Sequence, residues 1–593
     1  MSAPVRYQLS FARAAQSLID VQAEFSVRGE REAILTLPAW SPGSYMVRDY
    51  ARHLEGLSAT DGAGRPLPVH KVRKDAFCVA AGEADQVRVR YAVYGREMTV
   101  RTNFVCEEFA LVQGTATLLG WAPVAHRPHR LEVCLPQGPG GWARACCGLE
   151  RLPGEPVAFE ADSYDAVLDS PLLCGNPAID SFLVDNVPHE LATIGGDASW
   201  NNAEVADEAR RLVAEHVRLW RQIPYRRYVF LNVLHGGGGG LEHRHSSVVM
   251  GAANARASAK GRDDFAGLLS HEHFHAWNIK RLRPRALGPF DYAQENYTPS
   301  LWVAEGLTAY YDDLQACRAG VIDQADYLMR LAKSIEQLAL TPGRLQTSLC
   351  GSSFDAWIKL YKPDENSANT TVSYYLKGSL VGWLLDARLR QATGERASLD
   401  DVMRLAYARH AGPTGYTEAE FRACVLEVGG GEPSLGAWLE AALDTPAELD
   451  FDLPCAHFGL RLSWQRHGEQ RPKHRDLDGV LGAHLEAPSG NAVVAQVLRD
   501  GPAYAAGVNV GDELVALGDE RLRAETALER LAAHAAGGSP PASLWLTRRG
   551  RLLRREVPLA RPKPRAATLA LLADATPQQA TARNAWLQPK GSP

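Results

Sequence analysis

Leu268-Leu269-Ser270-His271-Glu272-His273-Phe274-His275-Ala276-Trp277 contains the pattern H-E-x-x-H at residues 271–275. Phe265, Leu268, Leu269 and Phe274 form an apolar stripe at helical spacing, so the segment predicts a half-buried helix rather than a loop. Residues four apart lie on one helix face, which lets His271 and His275 offer imidazole nitrogens to a single metal ion. Glu272 sits one residue round, within reach of an attacking water as general base. His273 points elsewhere on the helix and reads as a packing or supporting residue, since a closed metal site cannot activate water.

Two histidines are one ligand short for a hydrolytic zinc site, which uses three protein ligands and keeps one position open. Trp302-Val303-Ala304-Glu305-Gly306-Leu307-Thr308-Ala309-Tyr310 places a carboxylate among apolar residues with helical periodicity. An unpaired charge there is costly, and a buried cation removes the cost. Glu305 is therefore the expected third ligand. One Zn2+ per chain is the expected cofactor, because a His-His-Glu set fits zinc better than cobalt or manganese.

The rest of the chain sets bounds on this reading. At 593 residues it is too long for one core, and 46% hydrophobic with 22% charged residues is ordinary globular composition. A formal charge of -5 without a long single-sign run argues against nucleic acid as a partner. Met1-Ser2-Ala3-Pro4-Val5-Arg6-Tyr7 lacks an apolar leader core, and no segment reaches eighteen uninterrupted apolar residues. The expectation is a soluble cytoplasmic protein without a membrane partner. Its ten scattered cysteines are expected to be reduced thiols.

The hydrophobic period divides the chain. Residues 1–172 read as a β domain: Tyr7 to Phe11, Asp20 to Phe25, Glu32 to Leu37, Phe77 to Val79 and Gln86 to Val93 are short strands between turn residues. Trp40 to Tyr50 reads as a loop, where packed aromatics and a functional role are equally good accounts. Residues 173–450 are mixed at first, with a helix over Ala203 to Gln222 and a buried strand over Tyr228 to Leu234, and then mainly helical. Strand patterns return over 451–562. The tail, 563–593, carries a capping box at Thr576-Pro577-Gln578-Gln579, which predicts a short helix to Leu587.

Two further stretches are candidates for chemistry. The strand over Tyr228 to Leu234 runs into Gly236 to Gly240 and then Leu241-Glu242-His243. Glycines such as Gly239 and Gly240 let backbone approach a ligand closely, and Glu242 suits a peptide's α-ammonium; a flexible surface loop is the plainer account. In Ser373-Tyr374-Tyr375-Leu376-Lys377-Gly378 a tyrosine hydroxyl near a metal could stabilise an oxyanion, although tyrosines on apolar helices usually pack.

WSPGSYMVRDY at 40–50, GGGLEH at 238–243, HEHFHAWNIKRLRP at 271–284, WVAEGLTAYY at 302–311 and the region 455–560 together resemble the glycyl aminopeptidase (M61) family of zinc peptidases over nearly the whole chain. Members of that family look like relatives of the alanyl aminopeptidases. The resemblance implies a multidomain α+β protein: an N-terminal β-sheet domain, a thermolysin-like (gluzincin) catalytic domain with a helical C-terminal part, and a PDZ-like domain. It implies His271, His275 and Glu305 as zinc ligands, Glu272 as base, Glu242 as the carboxylate for the substrate amine and Tyr375 as the catalytic tyrosine, with Tyr374 its rival. Peptides with a free N-terminal glycine or alanine are the implied substrates.

The chain departs from the alanyl pattern in three places. The gap from His275 to Glu305 is longer, Ala304 stands where an asparagine is usual, and the glycine run is richer. The PDZ-like region resembles modules that add a peptide as a strand and hold its C-terminal carboxylate on backbone amides, here from Gly459-Leu460 or Leu481-Gly482; packing alone is the other account. The preferred reading is a zinc aminopeptidase. A zinc endopeptidase with the same metal core, or a PDZ scaffold on a relic peptidase fold, are the alternatives.

Overall fold

The computed structural model describes residues 4–468, 475–538 and 541–588. They form two compact units. One comprises the chain up to Thr298 with Tyr311–Ile322 and Met403–Phe421; the other comprises Pro299–Tyr310, Asp323–Val402 and the chain from Arg422.

The first unit begins with an eight-stranded sheet in the order Arg151–Leu152, Val157–Ala161, His129–Cys134, Val5–Ser10, Leu18–Ser26, Gln86–Tyr94, Leu54–Asp61 and Pro66–Leu67. Buried residues alternate with less buried ones along Val5–Ser10 and Leu18–Ser26, as a sheet with one face on a core requires. Tyr7, Phe25, Val89 and Phe159 share that core with Leu35 and Val79 from a three-stranded sheet, Glu32–Thr36, Ala76–Ala80 and Val69–Arg73. The N-terminal segment is thus β-rich, in line with the period-2 runs.

A five-stranded sheet follows in the order Ala178–Val184, Val187–Gly195, Tyr228–Leu234, Ser246–Met250 and Gly239–Glu242. Tyr228–Leu234 is parallel to both neighbours and buried at all seven positions, which explains an apolar run broken by Asn232 alone. The helix Asn202–Trp220 is the crossover that a parallel pair needs. Gly239–Glu242 turns back antiparallel on Ser246–Met250 and ends the sheet as an edge strand. The chain then enters the helix Ala259–Phe274, whose Ser258 N-cap accepts a hydrogen bond from Gly261 N–H. His271 to Phe274 occupy its last turn, and His275 is its C-cap.

Helices Gln324–Ala339, Tyr374–Thr393, Pro433–Asp444, Asp452–Phe458 and Pro577–Leu587 lie in the second unit. The capping box forms at Thr576, and Trp586 is fully buried, stacked on Phe458 at 4.4 Å. A separate small core there belongs to a sheet in the order Ala483–Glu486, Ala492–Val497, Glu513–Leu517, Ala542–Arg548 and Arg551–Val557, with Leu528 and Leu531 of the helix Ala527–Ala536 packed into it. The helical period around Glu305 takes an unexpected form, because Trp302–Gly306 is a π-helical turn that leads into the α-helix Leu307–Arg318. At that turn a Cβ on Gly306 would stand 2.7 Å from Gly378 Cα, so two helices meet there backbone to backbone. Such wide turns recur at functional sites.

Candidate active site

Each histidine of the motif has its Nδ1 engaged. His271 Nδ1 lies 2.9 Å from Asp312 Oδ2, and His275 Nδ1 lies 2.7 Å from the carbonyl of Asn278. An acceptor at Nδ1 puts the ring proton there and leaves Nε2 as the nitrogen to present to a metal. Glu305, on the π-helical turn of the second unit, is 1% exposed. Two oriented imidazoles and a buried carboxylate are a donor set that fits zinc. Sequence reasoning missed Asp312 and Asn278: one is distant along the chain, and the other acts through its backbone.

A second grouping includes Glu272. The side-chain ligand atoms of Glu242, Glu272 and His275 also lie within 4.8 Å of one another, and the two glutamates are 3% and 4% exposed. Glycines make room for both. A Cβ on Gly240 would overlap the Glu272 carboxylate, and one on Gly43 would stand 2.5 Å from both carboxylate oxygens of Glu242. Gly43 also has φ +87°, a conformation side chains rarely adopt. The loop at 40–50 therefore reaches the site, which its sequence left open. Gly239 has open space about its Cα and contributes backbone only, as the start of the edge strand.

Glu242 faces a chamber of about 350 Å³ whose lining includes Gly43, Tyr45, Lys280, Arg283 and Tyr292. Its Oε1 is buried without a hydrogen-bond partner. Lys280 Nζ lies 2.9 Å from Asp169 Oδ1, whose carboxylate also takes His243 Nδ1 at 3.0 Å. Burial alone would lower the Lys280 pKa, but the charges of Asp169 and Glu242 together hold it above its usual value. Asp169, which burial would raise, is held well below the carboxylate range by Lys280 and His243. Lys280 is thus matched by Asp169.

The adjacent tyrosines differ in access. Tyr374 is fully buried, whereas Tyr375 is partly exposed, with its hydroxyl 3.4 Å from that of Tyr361. Burial and the nearby charge of Glu305 push the Tyr375 hydroxyl well above its usual pKa, so it stays protonated and able to donate. His273 is fully buried and hydrogen-bonds within the first unit, to His216 and Tyr225.

Neither candidate carboxylate loop is open. Gly459 ends the helix Asp452–Phe458 at φ +64° and packs against Ala575 and Gln579. The amides of Val480, Leu481 and Gly482 already donate to the buried carboxylate of Asp476, at 2.9, 2.7 and 2.6 Å. Among the described residues, no helix is long and apolar enough to cross a membrane.

Residues 264–381 match the family model for M61 glycyl aminopeptidase, and residues 6–176 match that of the peptidase M61 N-terminal domain. A crystal structure of an aminopeptidase N family protein from Idiomarina loihiensis is 27% identical, covers 99% of this chain and 100% of its own, and superposes with a TM-score of 0.88. An M1 zinc metallopeptidase from Deinococcus radiodurans is 12% identical over 76% of this chain and 95% of its own, with a TM-score of 0.47. Yeast LTA4 hydrolase is 12% identical over 76% and 69%, with a TM-score of 0.48. Among curated proteins there is no match.

Proposed function

We propose that this chain is a metallo-aminopeptidase of the M61 peptidase family and removes the N-terminal residue, glycine or alanine by resemblance, from peptides with a free amine. The observation that carries the reading is Glu242: a buried carboxylate whose Oε1 has no partner, beside Glu272 and His275. An α-ammonium group supplies the missing donor and charge. Because Asp169 matches Lys280, Glu242 is the carboxylate available to the substrate.

His271, His275 and Glu305 would hold one zinc ion, which when bound supplies a Lewis acid that polarises the scissile carbonyl and the attacking water. Glu272 takes the proton of that water and delivers it to the leaving amine. The edge strand Gly239–Glu242 offers backbone groups to pair with the peptide, and Gly240 keeps that backbone close to Glu272. Tyr375 rather than Tyr374 donates to the carbonyl oxygen as it gains charge, since only Tyr375 is partly exposed. Such donors contribute about 2.7–4 kcal/mol.

The test compares a glycine-headed peptide carrying a free amine with its N-acetylated twin, with and without chelator. Hydrolysis of the free-amine peptide alone, stopped by chelator and restored by zinc, is the expected result. Comparable cleavage of the blocked twin would make the enzyme an endopeptidase and remove the role given to Glu242.

The strand-rich part of the second unit takes a packing role in this reading, because Asp476 occupies the amides that a peptide carboxylate would use. A peptide with a free C-terminal carboxylate is expected not to bind the wild-type chain in calorimetry but to bind Asp476→Ala. Equal binding to both would return the recognition role to this region.

A further inference from the structure

Three histidines, a tyrosine and a serine form one hydrogen-bonded chain inside the first unit. His189 Nδ1 lies 2.9 Å from the carbonyl of Val187, and His189 Nε2 lies 3.0 Å from the Tyr225 hydroxyl. That hydroxyl is 2.6 Å from His273 Nε2, and His273 Nδ1 is 2.8 Å from His216 Nδ1. His216 Nε2 closes the chain at 3.2 Å from Ser270 Oγ. His189, His216, Ser270 and His273 are fully buried and Tyr225 nearly so, which leaves the partners to satisfy one another.

One end fixes the proton order of the whole. A carbonyl oxygen only accepts, so His189 carries its proton on Nδ1 and presents a bare Nε2. Tyr225 must then donate to His189, and its oxygen accepts from His273 Nε2–H. His273 Nδ1 is consequently bare and accepts from His216 Nδ1–H, and His216 Nε2 accepts from Ser270. Five bonds use five protons, and with neutral rings no other order satisfies them all. Burial favours the neutral form, bringing His189 down to about 4 and His216 to about 3.

The chain ties the helix Ala259–Phe274 to the helix Asn202–Trp220, to the strand Val187–Gly195 and to the loop that carries Tyr225. His273 lies midway between His271 and His275 and is gripped at both ring nitrogens. Successive helix residues are set about 100° apart, so a grip on His273 fixes the direction of its neighbours on the same turn. We infer that His273 is a positioning residue, clamped by His216 and Tyr225, which sets the rotation of the H-E-x-x-H turn and thereby the metal affinity of His271 and His275. This rests on the metal-site reading above.

The test uses the full chain loaded with zinc. Tyr225→Phe removes one hydroxyl and leaves His273 Nε2 and His189 Nε2 without partners. Zinc release to a chromogenic chelator is expected to quicken about tenfold, the lower end of what the loss of a ligand's supporting partner costs. Its kcat should fall while KM stays within about twofold, since substrate contacts are untouched. His189→Phe cuts the chain beyond Tyr225 and should show a smaller effect in the same direction. Unchanged zinc release and kcat in both variants, with only a lower melting temperature, would reduce the chain to ordinary packing. Nitrogen-15 imidazole spectra of the wild type provide a readout that needs neither a folded variant nor activity. The inference requires His189 and His216 as Nδ1–H tautomers and His273 as Nε2–H, and any other pattern overturns it. Failure of the wild type to retain zinc while showing these tautomers would count against the metal-site reading and remove the positioning role with it.

Discussion

Glu272→Gln is expected to lose hydrolysis of a free-amine peptide by three to four orders of magnitude in kcat while still binding one zinc per chain. The replacement keeps the shape of the side chain, so the fit against Gly240 is preserved. What it removes is the ability to accept a proton, and general-base catalysis contributes about 10²- to 10⁴-fold. The loss falls at the upper end because, in the proposed mechanism, the same group both takes the proton from water and returns it to the leaving amine. A drop of this size corresponds to about 4–5 kcal/mol of transition-state stabilisation. KM should move little, since the proposed reading gives the substrate amine to Glu242 rather than to Glu272. Steady-state kinetics with atomic absorption on the same sample read both quantities. A variant that keeps more than a tenth of wild-type kcat would remove Glu272 from the mechanism, and a chain with no peptidase activity in either form would revive the scaffold reading.

Gly240→Ala should cost about 10²-fold in kcat through a methyl group alone. The new Cβ would overlap the Glu272 carboxylate, and the edge strand cannot retreat freely because it is paired with Ser246–Met250. Glu272 must therefore swing away from the position in which the proposed mechanism uses it, and displacing a catalytic group by about 1 Å costs on that order. Backbone strain is not the cause, since Gly240 is absent from the positive-φ glycines. Gly238→Ala is the control: it too lacks a positive φ, a Cβ there meets nothing within 4 Å, and it should behave as wild type. Metal content should be unchanged in both. Equal activity in the two variants would show that the glycine at 240 serves flexibility rather than clearance.

Much of the fold was legible because its signals are local. Period-2 runs before residue 172 correspond to strands, and the capping box at Thr576 starts a helix, since each depends on residues a few positions apart. The same locality marked His271 and His275 as one helix face. Glu305 drew attention for a different reason: a carboxylate in an apolar run demands a partner, and this one is 1% exposed.

Other features depend on chain segments whose meeting no local pattern records. Asp312 on His271, the Asn278 carbonyl on His275 and Gly43 on Glu242 are products of packing. Local sequence could not choose between Tyr374 and Tyr375, because adjacent tyrosines have the same chemistry and differ only in what buries them. The π turn at Glu305 accompanies a helix contact at Gly306 and Gly378, far apart in sequence. Asp476 occupies the amides at Leu481-Gly482, one of two loops between which the sequence could not choose. The sequence by itself determined which groups have the chemistry for the site and on which helix face two of them fall, because side-chain type and helical pitch are local properties. Only the tertiary structure decided which nitrogen each histidine presents, which carboxylate is left without a partner and which tyrosine remains accessible, because hydrogen bonding and burial are set by neighbours brought together in space.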